Sequence, residues 1–542
     1  MVVEMLQHGS DNLFRSIASL FTAILRGDGN PPESWKESLI TVLFKKGDDT
    51  LPENYRPITL LRILYKLFAR VLNSRIKVFL EASQGPDQAG FRKGFSCDDN
   101  LFTVMQIIEK FAEYQLPLWI CAIDFKKAFD TVEHFSIWEA LKSQGVPTNY
   151  IDVLMTLYTE QVGKIISPTQ SREFKLDRGT KQGDPLSPAI FNAVLELVFD
   201  KVQRKWRDKG WGISLGPEVS DLLCNFRLAD DILLLATSRC QLKHMLRDTI
   251  AATKEVGLEL HAGKTKILRM DGNYSRSSPP LQVGSLRIEV LSEDDSTMYL
   301  GRSLSTHKPH DVELDFRIER AWKKFFAHKS ELCGKGFRLR DRLKLFDSVV
   351  TSTVLYGSGT WTMTQARESK LRIHQRKMIR WMIGCGRRSL DESGGARDDE
   401  DEDADEEPEP KEEEDEVAAE GPVGLENWVD YIRRATSIAE DCLKNARLED
   451  WVSGQRRRKW RWAGHTARRH DGRWSNKILF CSTLPGFRGV GRPKTRWSDN
   501  IEQFIDAHTF LDGKDWVLLA QDRDSWHALE NKFVHNCLIS DE

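Results

Sequence analysis

Short apolar runs broken by turn residues alternate with amphipathic stretches through the first 390 residues of this chain. The run "LWICAI" at 118–123 is fully apolar and ends at Asp124, which predicts a short buried strand with an acid at its end. "FKKAFDTV" follows it and predicts a helix-like continuation. The runs "CNFRLA" and "ILLLA" flank Asp230 and Asp231, and this spacing predicts two strands joined by a hairpin.

Glycine-rich turns and amphipathic helices separate these strands. "GTKQGDP" predicts a turn, and Ser187 before Pro188 predicts an N-cap and the first position of an apolar-periodic helix. "QLKHMLRDTIAATKEVG" predicts a second helix that ends at Gly257, and "LEL" after it predicts a strand. This order is typical of a split βαβ arrangement, in which helices pack on one face of a sheet.

The two adjacent carboxylates of Asp230 and Asp231 have two interpretations. Alone, such a pair is typical of the solvated tip of a hairpin. Asp124 supplies a third carboxylate, although it also suits a surface ion pair with Lys126 or Lys127. If the two strands are neighbours, the three acids meet at one sheet edge and repel one another, and Mg²⁺ relieves that repulsion. The set then predicts a two-metal site for nucleotidyl transfer.

Charge is distributed unevenly along the chain. The formal net charge is −2, but residues 391–420 hold 18 acids and 2 bases, which leaves +14 on the other 512 residues. A basic body suits a polyanionic partner, or else it is a solvated surface of mixed charge. The acidic tract has too little apolar content to fold, so we expect a disordered linker. An internal mimic of nucleic acid that covers a basic surface is the alternative.

Cysteine usage and hydropathy bear on the compartment. The nine cysteines are scattered without a CxxC pair, which favours reduced thiols over a disulfide framework or a zinc knuckle. The sequence has no run of about 18 apolar residues, and its first residues lack the pattern of a signal peptide. We therefore expect an intracellular protein of the nucleus or cytoplasm, neither secreted nor bound to a membrane.

Tryptophan and arginine are interleaved from residue 425 to the end. This composition suits binding of single-stranded nucleic acid, in which arginine binds phosphate and tryptophan stacks on unpaired bases. The alternative is a helical domain with tryptophans in its core and solvated arginines. His465, His470 and Cys481 fit no tetrahedral zinc pattern. The tryptophans concerned are Trp428, Trp451, Trp460, Trp462, Trp474, Trp497, Trp516 and Trp526.

Several motifs in fixed order carry a family resemblance. "AIDFKKAFDTV", "GTKQGDPLSPAIF", "LADDILLL", "LELHAGKTKI" and "YLG" resemble the reverse transcriptase domain of non-long-terminal-repeat (non-LTR, LINE-type) retrotransposons. "PPESWKESLITVLFKKGDDTLPENYRPITLLRILYKLFARVLNSRI" and "GPDQAGFRKGFSCDDNLF" are similar to its fingers motifs. "VLYGSGTWTMT", "RRRKWRWAGHTARR" and "GVGRPKTRW" are similar to the segment that follows the polymerase. The resemblance covers nearly the whole chain outside the acidic tract.

The resemblance implies an α+β fold, a right-hand polymerase of fingers, palm and thumb with a split βαβ palm. With the composition, it predicts that a disordered acidic linker and a mostly helical C-terminal domain follow. The predicted boundaries are 1–115 for the fingers, 116–305 for the palm with the catalytic site, 306–390 for a helical thumb or connection, 391–424 for the linker, and 425–542 for the C-terminal nucleic-acid-binding domain.

The resemblance also implies roles for individual residues. Asp124, Asp230 and Asp231 correspond to the catalytic, metal-binding carboxylates, and the carbonyl of Phe125 to a further ligand. The aromatic steric gate corresponds to Phe129, which is otherwise a plain core aromatic. The implied contacts to the incoming nucleotide are Gln182, Gly183, Arg56, Lys45, Lys46 and Lys264. For the three lysines, a solvated surface position is the alternative.

Two departures from the family pattern bear on activity. Leu228 stands where the family has Phe or Tyr, and His261 and Ala262 stand at the start of the lysine motif, where it has Asn. The chain also begins about 30 residues before the first fingers motif, so we expect the N-terminal endonuclease of complete elements to be missing, through truncation or a late predicted start. A separate endonuclease would then act in trans.

The resemblance thus implies an RNA-directed DNA polymerase that uses two Mg²⁺ ions, with Mn²⁺ as a substitute. Its partners would be an RNA template, a DNA primer and dNTPs. The alternative is a catalytically inactive retrotransposon remnant that at most binds nucleic acid. An RNA-splicing maturase on the same palm is a third interpretation, which the C-terminal block disfavours.

Overall fold

The computed structural model describes residues 3–166, 172–217, 219–271, 278–390, 396–397, 425–481, 484–489, 491, 494–508 and 515–536. The acidic linker predicted for 391–424 therefore lies outside the described residues, except for 396–397. Among the described helices, none is long and apolar enough to cross a lipid bilayer.

The regular elements follow the chain in this order. The strands are β1 Glu37–Phe44, β2 Tyr55–Leu60, β3 Leu118–Ile123, β4 Val162–Ile165, β5 Phe174–Lys175, β6 Asn225–Leu228, β7 Asp231–Ala236, β8 Lys266–Met270, β9 Leu281–Val283, β10 Leu286–Val290, β11 Thr297–Tyr299, β12 Arg302–Leu304, β13 Ser389–Leu390 and β14 Ala396–Arg397. The α-helices are α1 Val3–Gln7, α2 Asp11–Arg26, α3 Ile63–Ser83, α4 Cys97–Glu113, α5 Ala128–Thr131, α6 His134–Ser143, α7 Thr148–Tyr158, α8 Ser187–Asp208, α9 Arg239–Glu255, α10 Pro309–Ala327, α11 Lys329–Cys333, α12 Leu339–Phe346, α13 Ser352–Val354, α14 Gln365–Ile383, α15 Trp428–Ala446, α16 Trp451–Ala467, α17 Trp474–Phe480, α18 Asp499–His508, α19 Trp516–Gln521 and α20 Arg523–Asn536. Glu33–Trp35, Pro52–Asn54 and Ser358–Thr360 form 3₁₀ turns, and Asp347–Thr351 forms a π-helical turn.

A six-stranded sheet positions the site. Its strand order is β6-β7-β3-β8-β10-β9, with β3 antiparallel to both β7 and β8. Five consecutive residues of β7, from Ile232 to Ala236, are buried. Because successive side chains of a strand point to opposite faces, both faces of the sheet must be covered. α9 packs on β3 and β7, and α4 packs on β6.

A second sheet has the strand order β2-β1-β4-β5, with β1 and β2 in the predicted fingers. β1 is antiparallel to β2 and parallel to β4. β4 and β5 come from the segment predicted as palm, so this sheet combines strands from both sides of the predicted boundary at residue 115.

Three local predictions need adjustment. "LEL" is not a strand, because only Leu260 forms an isolated bridge, to Phe125. The second helix, α9, ends at Glu255, close to the predicted Gly257. Ser187 is already inside α8 and does not cap it, because its hydroxyl donates to the carbonyl of Lys181 (2.8 Å).

The chain forms two compact units. The first unit contains residues 1–309 and 469–493, and the second contains 310–468 and 494–542. The core of the first includes Phe191, Leu195 and Leu234, and that of the second includes Phe325, Met378 and Trp451. The predicted C-terminal domain at 425–542 is therefore divided between them, because 469–493 packs on the first unit.

Most of the C-terminal tryptophans predicted to stack on bases are buried in the structure. Trp460 and Trp526 stack at 3.8 Å between ring centroids, and each indole N–H donates to the backbone carbonyl of the other. Large aromatic rings with satisfied N–H groups are typical of a helical core. Trp428 is 60% exposed, whereas the buried members of the set are Trp451, Trp460, Trp462, Trp474, Trp497, Trp516 and Trp526. Seven of the eight tryptophans thus follow the core alternative.

Candidate active site

The hairpin that carries Asp230 and Asp231 forms as the apolar pattern predicts. β6 and β7 pair antiparallel, with Leu228 opposite Asp231, so that Ala229 and Asp230 form a two-residue turn. Ala229 has φ +55°, in the left-handed region that such tight turns require. Leu228, which departs from the family pattern, is half-buried at the end of β6.

Asp124 comes to the same sheet edge from the neighbouring strand. Ile123, the last residue of β3, pairs with Ile232, so Asp124 and Asp231 are the next residues on adjacent strands. The backbone of Asp124 is fixed by the loop before β8. The N–H of His261 donates to its carbonyl (2.7 Å), and its own N–H donates to the hydroxyl of Thr265 (3.3 Å). The adjacency on which the metal prediction depends is thus present.

The three carboxylates repel one another. The pKa of Asp231 is raised to about 6, chiefly because the carboxylate is partly shielded from water and, to a smaller extent, because Asp230 and Asp124 repel it. Burial and repulsion from Asp124 also raise the pKa of Asp230. Oδ2 of Asp124 is buried without a hydrogen-bond partner, and Nζ of Lys264 lies 3.8 Å from it. This edge of the sheet therefore favours additional positive charge.

The side chains of Asp124, Asp230 and Asp231 offer the type of ligand that a divalent cation such as Mg²⁺ binds. In the part of the chain that the structure describes, no three His, Cys, Asp or Glu side chains are already arranged as a metal site. Carboxylate oxygens are nevertheless the ligands that Mg²⁺ prefers, and a cation removes the repulsion that raises the pKa of two of these acids. Phe125, the proposed carbonyl ligand, has its side chain buried in the core next to Asp124.

The predicted basic residues lie close to the carboxylates. Arg56 is on β2, Lys45 directly follows β1, and Lys264 is in the loop before β8. Burial lowers the pKa of Lys45, and repulsion from Arg56 and Lys264 lowers it further. Lys46 adds a smaller repulsion. Arg56 and Lys45 both attract the carboxylate of Asp230, and this attraction offsets part of the rise in its pKa.

The turn at Gln182 and Gly183 is held from two sides. The N–H of Thr59 on β2 donates to the carbonyl of Gln182 (2.8 Å), and the side-chain amide of Gln182 donates to Asp130 (3.1 Å). Gly183 has φ +107°, and a Cβ there would lie 2.9 Å from the carbonyl oxygen of Thr59. Only glycine fits this position without strain.

Phe129 lies in the short helix after Asp124. Its ring stacks on Phe191 at 4.3 Å and meets Phe91 edge-on at 6.4 Å. The N–H of Thr180 donates to its carbonyl (2.6 Å), which joins it to the loop that carries Gln182. The ring is thus half-buried in a fixed orientation beside the predicted nucleotide contacts.

Sequence reasoning missed the loop that supports the hairpin. "GPDQAGF" resembles a fingers motif, yet Gln88 forms a bridge to Arg227, and its side-chain carbonyl accepts the N–H of Ala229 (3.0 Å). A Cβ on Gly90 would lie 2.3 Å from the nitrogen of Ala229. A single sequence carries no signal that joins positions about 140 residues apart.

A buried ion pair beneath the hairpin was also missed. Arg227 is fully buried, donates to Glu196 on α8 (2.9 Å), and lies over the ring of Phe199 at 4.8 Å. The sequence offers one clue, because an arginine in an otherwise apolar strand needs a buried partner.

The site lies within the region that comparison with known proteins identifies. The family described as "Reverse transcriptase (RNA-dependent DNA polymerase)" matches residues 44–304, which include every residue of the site. The retrovirus-related Pol polyprotein from a type-2 retrotransposable element of Drosophila melanogaster is 30% identical over 281 residues, which are 50% of this chain and 25% of the polyprotein. Residues 44–304 thus form a reverse transcriptase domain of the kind found in non-LTR retrotransposons.

The family resemblance read from the motifs is thereby confirmed, and so is the right-hand polymerase fold class. This reverse transcriptase is also 29% identical over 320 residues to a transposon-derived protein of Caenorhabditis elegans, covering 58% of this chain and 97% of that protein. Among solved structures, apo telomerase from Candida tropicalis truncated from its C-terminal domain gives a TM-score of 0.37 at 12% identity, over 55% of this chain and 59% of that one. The chain thus spans nearly all of the nematode protein but a quarter of the Drosophila polyprotein.

Proposed function

We propose that this reverse transcriptase is an active RNA-directed DNA polymerase that extends a DNA primer on an RNA template with dNTPs. The observation that carries the proposal is the meeting of Asp124, Asp230 and Asp231 at one sheet edge, opposite Lys45 and Arg56. Nucleotidyl transfer requires carboxylates that hold divalent cations, and basic side chains beside them that bind the triphosphate.

The carboxylates and the carbonyl of Phe125 would hold two Mg²⁺ ions, or Mn²⁺ in their place. When bound, the ions supply activation of the primer 3′-hydroxyl and stabilisation of charge on the transferring phosphate. The backbone bonds from His261 and Thr265 hold Asp124 in place for this role.

The basic residues and the glycine turn would bind the nucleotide. Arg56, Lys45 and Lys46 neutralise the triphosphate, and Lys264 lies near the leaving pyrophosphate, at 3.8 Å from Asp124. The Gln182–Gly183 turn contacts the incoming nucleotide with a backbone fixed by Thr59. A fixed turn lowers the entropy lost on binding.

Phe129 would act as the steric gate. Its stacking on Phe191 prevents the ring from turning away, so that a 2′-hydroxyl on the incoming sugar meets an immobile aromatic edge. This selects deoxynucleotides over ribonucleotides by exclusion.

A separate endonuclease in trans would supply a primer end in target DNA, and the nucleus or cytoplasm would be the compartment. The rival proposal is an inactive remnant that binds nucleic acid, and the substitution at Leu228, at the end of β6, is the feature in its favour.

Primer extension on poly(rA)/oligo(dT) with Mg²⁺ tests the proposal. We expect incorporation of dTTP by the wild type, a loss of at least about a thousandfold in Asp230→Asn, and unchanged activity in Asp152→Asn, an exposed acid on α7. Template binding, measured by fluorescence anisotropy, should be similar in all three. Extension by Asp230→Asn at the wild-type rate contradicts the site, and binding without extension by the wild type favours the remnant.

A further inference from the structure

We propose that a C-terminal strap, residues 469–481, positions the hairpin that carries Asp230 and Asp231, and that Trp474 acts as a positioning residue through Asp87. The inference rests on the proposed function for its catalytic consequence. Its structural part stands on contacts within the first unit alone.

The strap is fixed to the first unit through a buried carboxylate. Asp99, near the start of α4, accepts hydrogen bonds from Arg469, from Arg473 (3.3 Å) and from the hydroxyl of Ser475 (3.0 Å). The guanidinium of Arg473 also lies 3.5 Å above the ring centroid of Phe95. Charge-assisted bonds of this kind in a shielded place are strong and directional.

Trp474 meets the loop that supports the hairpin. Its indole N–H donates to Oδ1 of Asp87 (2.6 Å), and Gln203 on α8 donates to Oδ2 of the same carboxylate (2.9 Å). Asp87 and Trp474 are both buried. Loss of the indole N–H leaves a buried carboxylate oxygen without this partner, which shifts or loosens the loop.

The backbone of that loop pairs directly with the hairpin. The N–H of Arg227 donates to the carbonyl of Asp87 (2.8 Å), and the N–H of Ala89 donates back to Arg227 (2.9 Å). Gln88 between them accepts the N–H of Ala229, the residue before Asp230. Trp474 is therefore connected to the catalytic turn by its hydrogen bond to Asp87 and by the bonds that join residues 87–89 to Arg227 and Ala229.

The strap also holds the segment that leads into β6. Lys477 pairs with Asp221 (2.9 Å), and the thiol of Cys481 donates to the carbonyl of Leu215 (2.6 Å). The residues before β6 and the loop paired with β6 therefore both contact the strap. The strap lies more than 230 residues after β6 in the sequence. Such outer supports set the orientation of catalytic carboxylates without touching substrate.

Hydrogen exchange on the full-length chain without substrate tests the structural part. We expect Trp474→Phe, which keeps the ring and removes the donor, to raise exchange severalfold in peptides covering 85–95 and 225–236 and to leave β8 unchanged. The matched control is Trp526→Phe, which removes a buried indole N–H in the second unit and should leave both peptides at wild-type rates. Unchanged exchange at 225–236, or a rise that includes β8, overturns the inference.

Primer extension tests the catalytic part. We expect Trp474→Phe to lower kcat about tenfold with KM for the nucleotide nearly unchanged, and Trp526→Phe to keep the wild-type kcat. Asp87→Ala, which removes the acceptor, should give at least a similar loss, and the double variant should lose no more than Asp87→Ala alone, because the Trp474 donor then has no acceptor left to lose. A wild-type kcat in Trp474→Phe, or additive losses, contradicts positioning. If the wild type itself does not extend primers, the proposed function fails while hydrogen exchange still decides the role of the strap.

Discussion

At the scale of single residues, like charges are held together here more closely than folding alone favours. The carboxylates of Asp124, Asp230 and Asp231 repel one another, and Arg56 and Lys264 repel the ammonium group of Lys45. Each set partly offsets the repulsion within the other, and bound ions and a triphosphate would reduce that repulsion further. Such conflict between local stability and arrangement is typical of functional sites.

Replacing Asp231 should therefore stabilise the protein when divalent ions are absent. The pKa of Asp231 is raised in the folded state from 3.8 to about 6, so its ionisation opposes folding. The gain in unfolding free energy for Asp231→Asn should be absent below about pH 4, grow up to about pH 6, and stay constant above, reaching about 1 kcal/mol because solvent screens an exposed side chain. Urea denaturation of both proteins in EDTA at several pH values measures it. A wild type more stable than the variant at pH 8 contradicts the repulsion.

A second prediction concerns Gly183. In Gly183→Ala the new Cβ meets the carbonyl oxygen of Thr59 at a positive φ, so the turn must shift at a cost of about 1–3 kcal/mol. We expect a raised KM for the nucleotide and a lower melting temperature. Gly336→Ala, where a Cβ meets nothing within 4 Å, is the control. Equal KM values in Gly183→Ala and the wild type argue against a nucleotide contact at this turn.

At the scale of elements, the hairpin depends on partners remote in sequence. Arg227 pairs with Glu196 on α8, and the loop at 85–95 pairs with β6. The hairpin is thus fixed on both sides before any substrate arrives, which favours a preorganised site.

Glu196→Gln tests this fixation. Removing the charge leaves the fully buried guanidinium of Arg227 without its ionic partner, at a cost of about 3 kcal/mol. Asp200→Asn, one turn later on α8 in an exposed pair with Arg204, should cost less than about 0.5 kcal/mol. Thermal denaturation compares the two. Similar small losses in both variants contradict the anchoring role of the buried pair.

Elements with a strong local signal could be predicted from the sequence. The unbroken apolar run of β3 and the two runs around Asp230 each identify a strand, because each is short and bounded by turn or charged residues. "LEL" failed because its backbone groups bond to the residues around Asp124 instead of to a strand. Family resemblance identifies the motif residues. The contacts of Gln88, Glu196 and Trp474 join distant positions and leave no local pattern in the sequence.

At the scale of the whole molecule, seven of the eight tryptophans of the C-terminal block are buried, and several of the arginines among them pair with acids. Arg456 donates to Glu368 (2.7 Å), and Arg461 donates to Glu530 (2.9 Å). Composition alone suggests a nucleic-acid surface, since it does not distinguish an internal arginine from an exposed one. Nucleic-acid binding by this block stays a prediction, with Trp428 as the exposed member of the eight tryptophans.

Two tryptophan variants separate these roles. Trp460→Ala removes a fully buried ring and should cost about 3–5 kcal/mol, whereas Trp428→Ala should change stability by less than about 0.5 kcal/mol. If the block binds single strands through exposed aromatics, Trp428→Ala should weaken RNA binding severalfold. Denaturation and fluorescence anisotropy measure both quantities. Equal stability of the two variants contradicts the core assignment.

The account depends most on divalent ions bound between the two strands. Electron paramagnetic resonance of Mn²⁺ on the full chain, with a dideoxy-terminated primer on RNA template and the next nucleotide, counts the bound ions directly. We predict two bound Mn²⁺ ions in the wild type and in Asp152→Asn, and the loss of at least one in Asp124→Asn and in Asp230→Asn. Wild-type Mn²⁺ binding by both Asp124→Asn and Asp230→Asn would contradict the account.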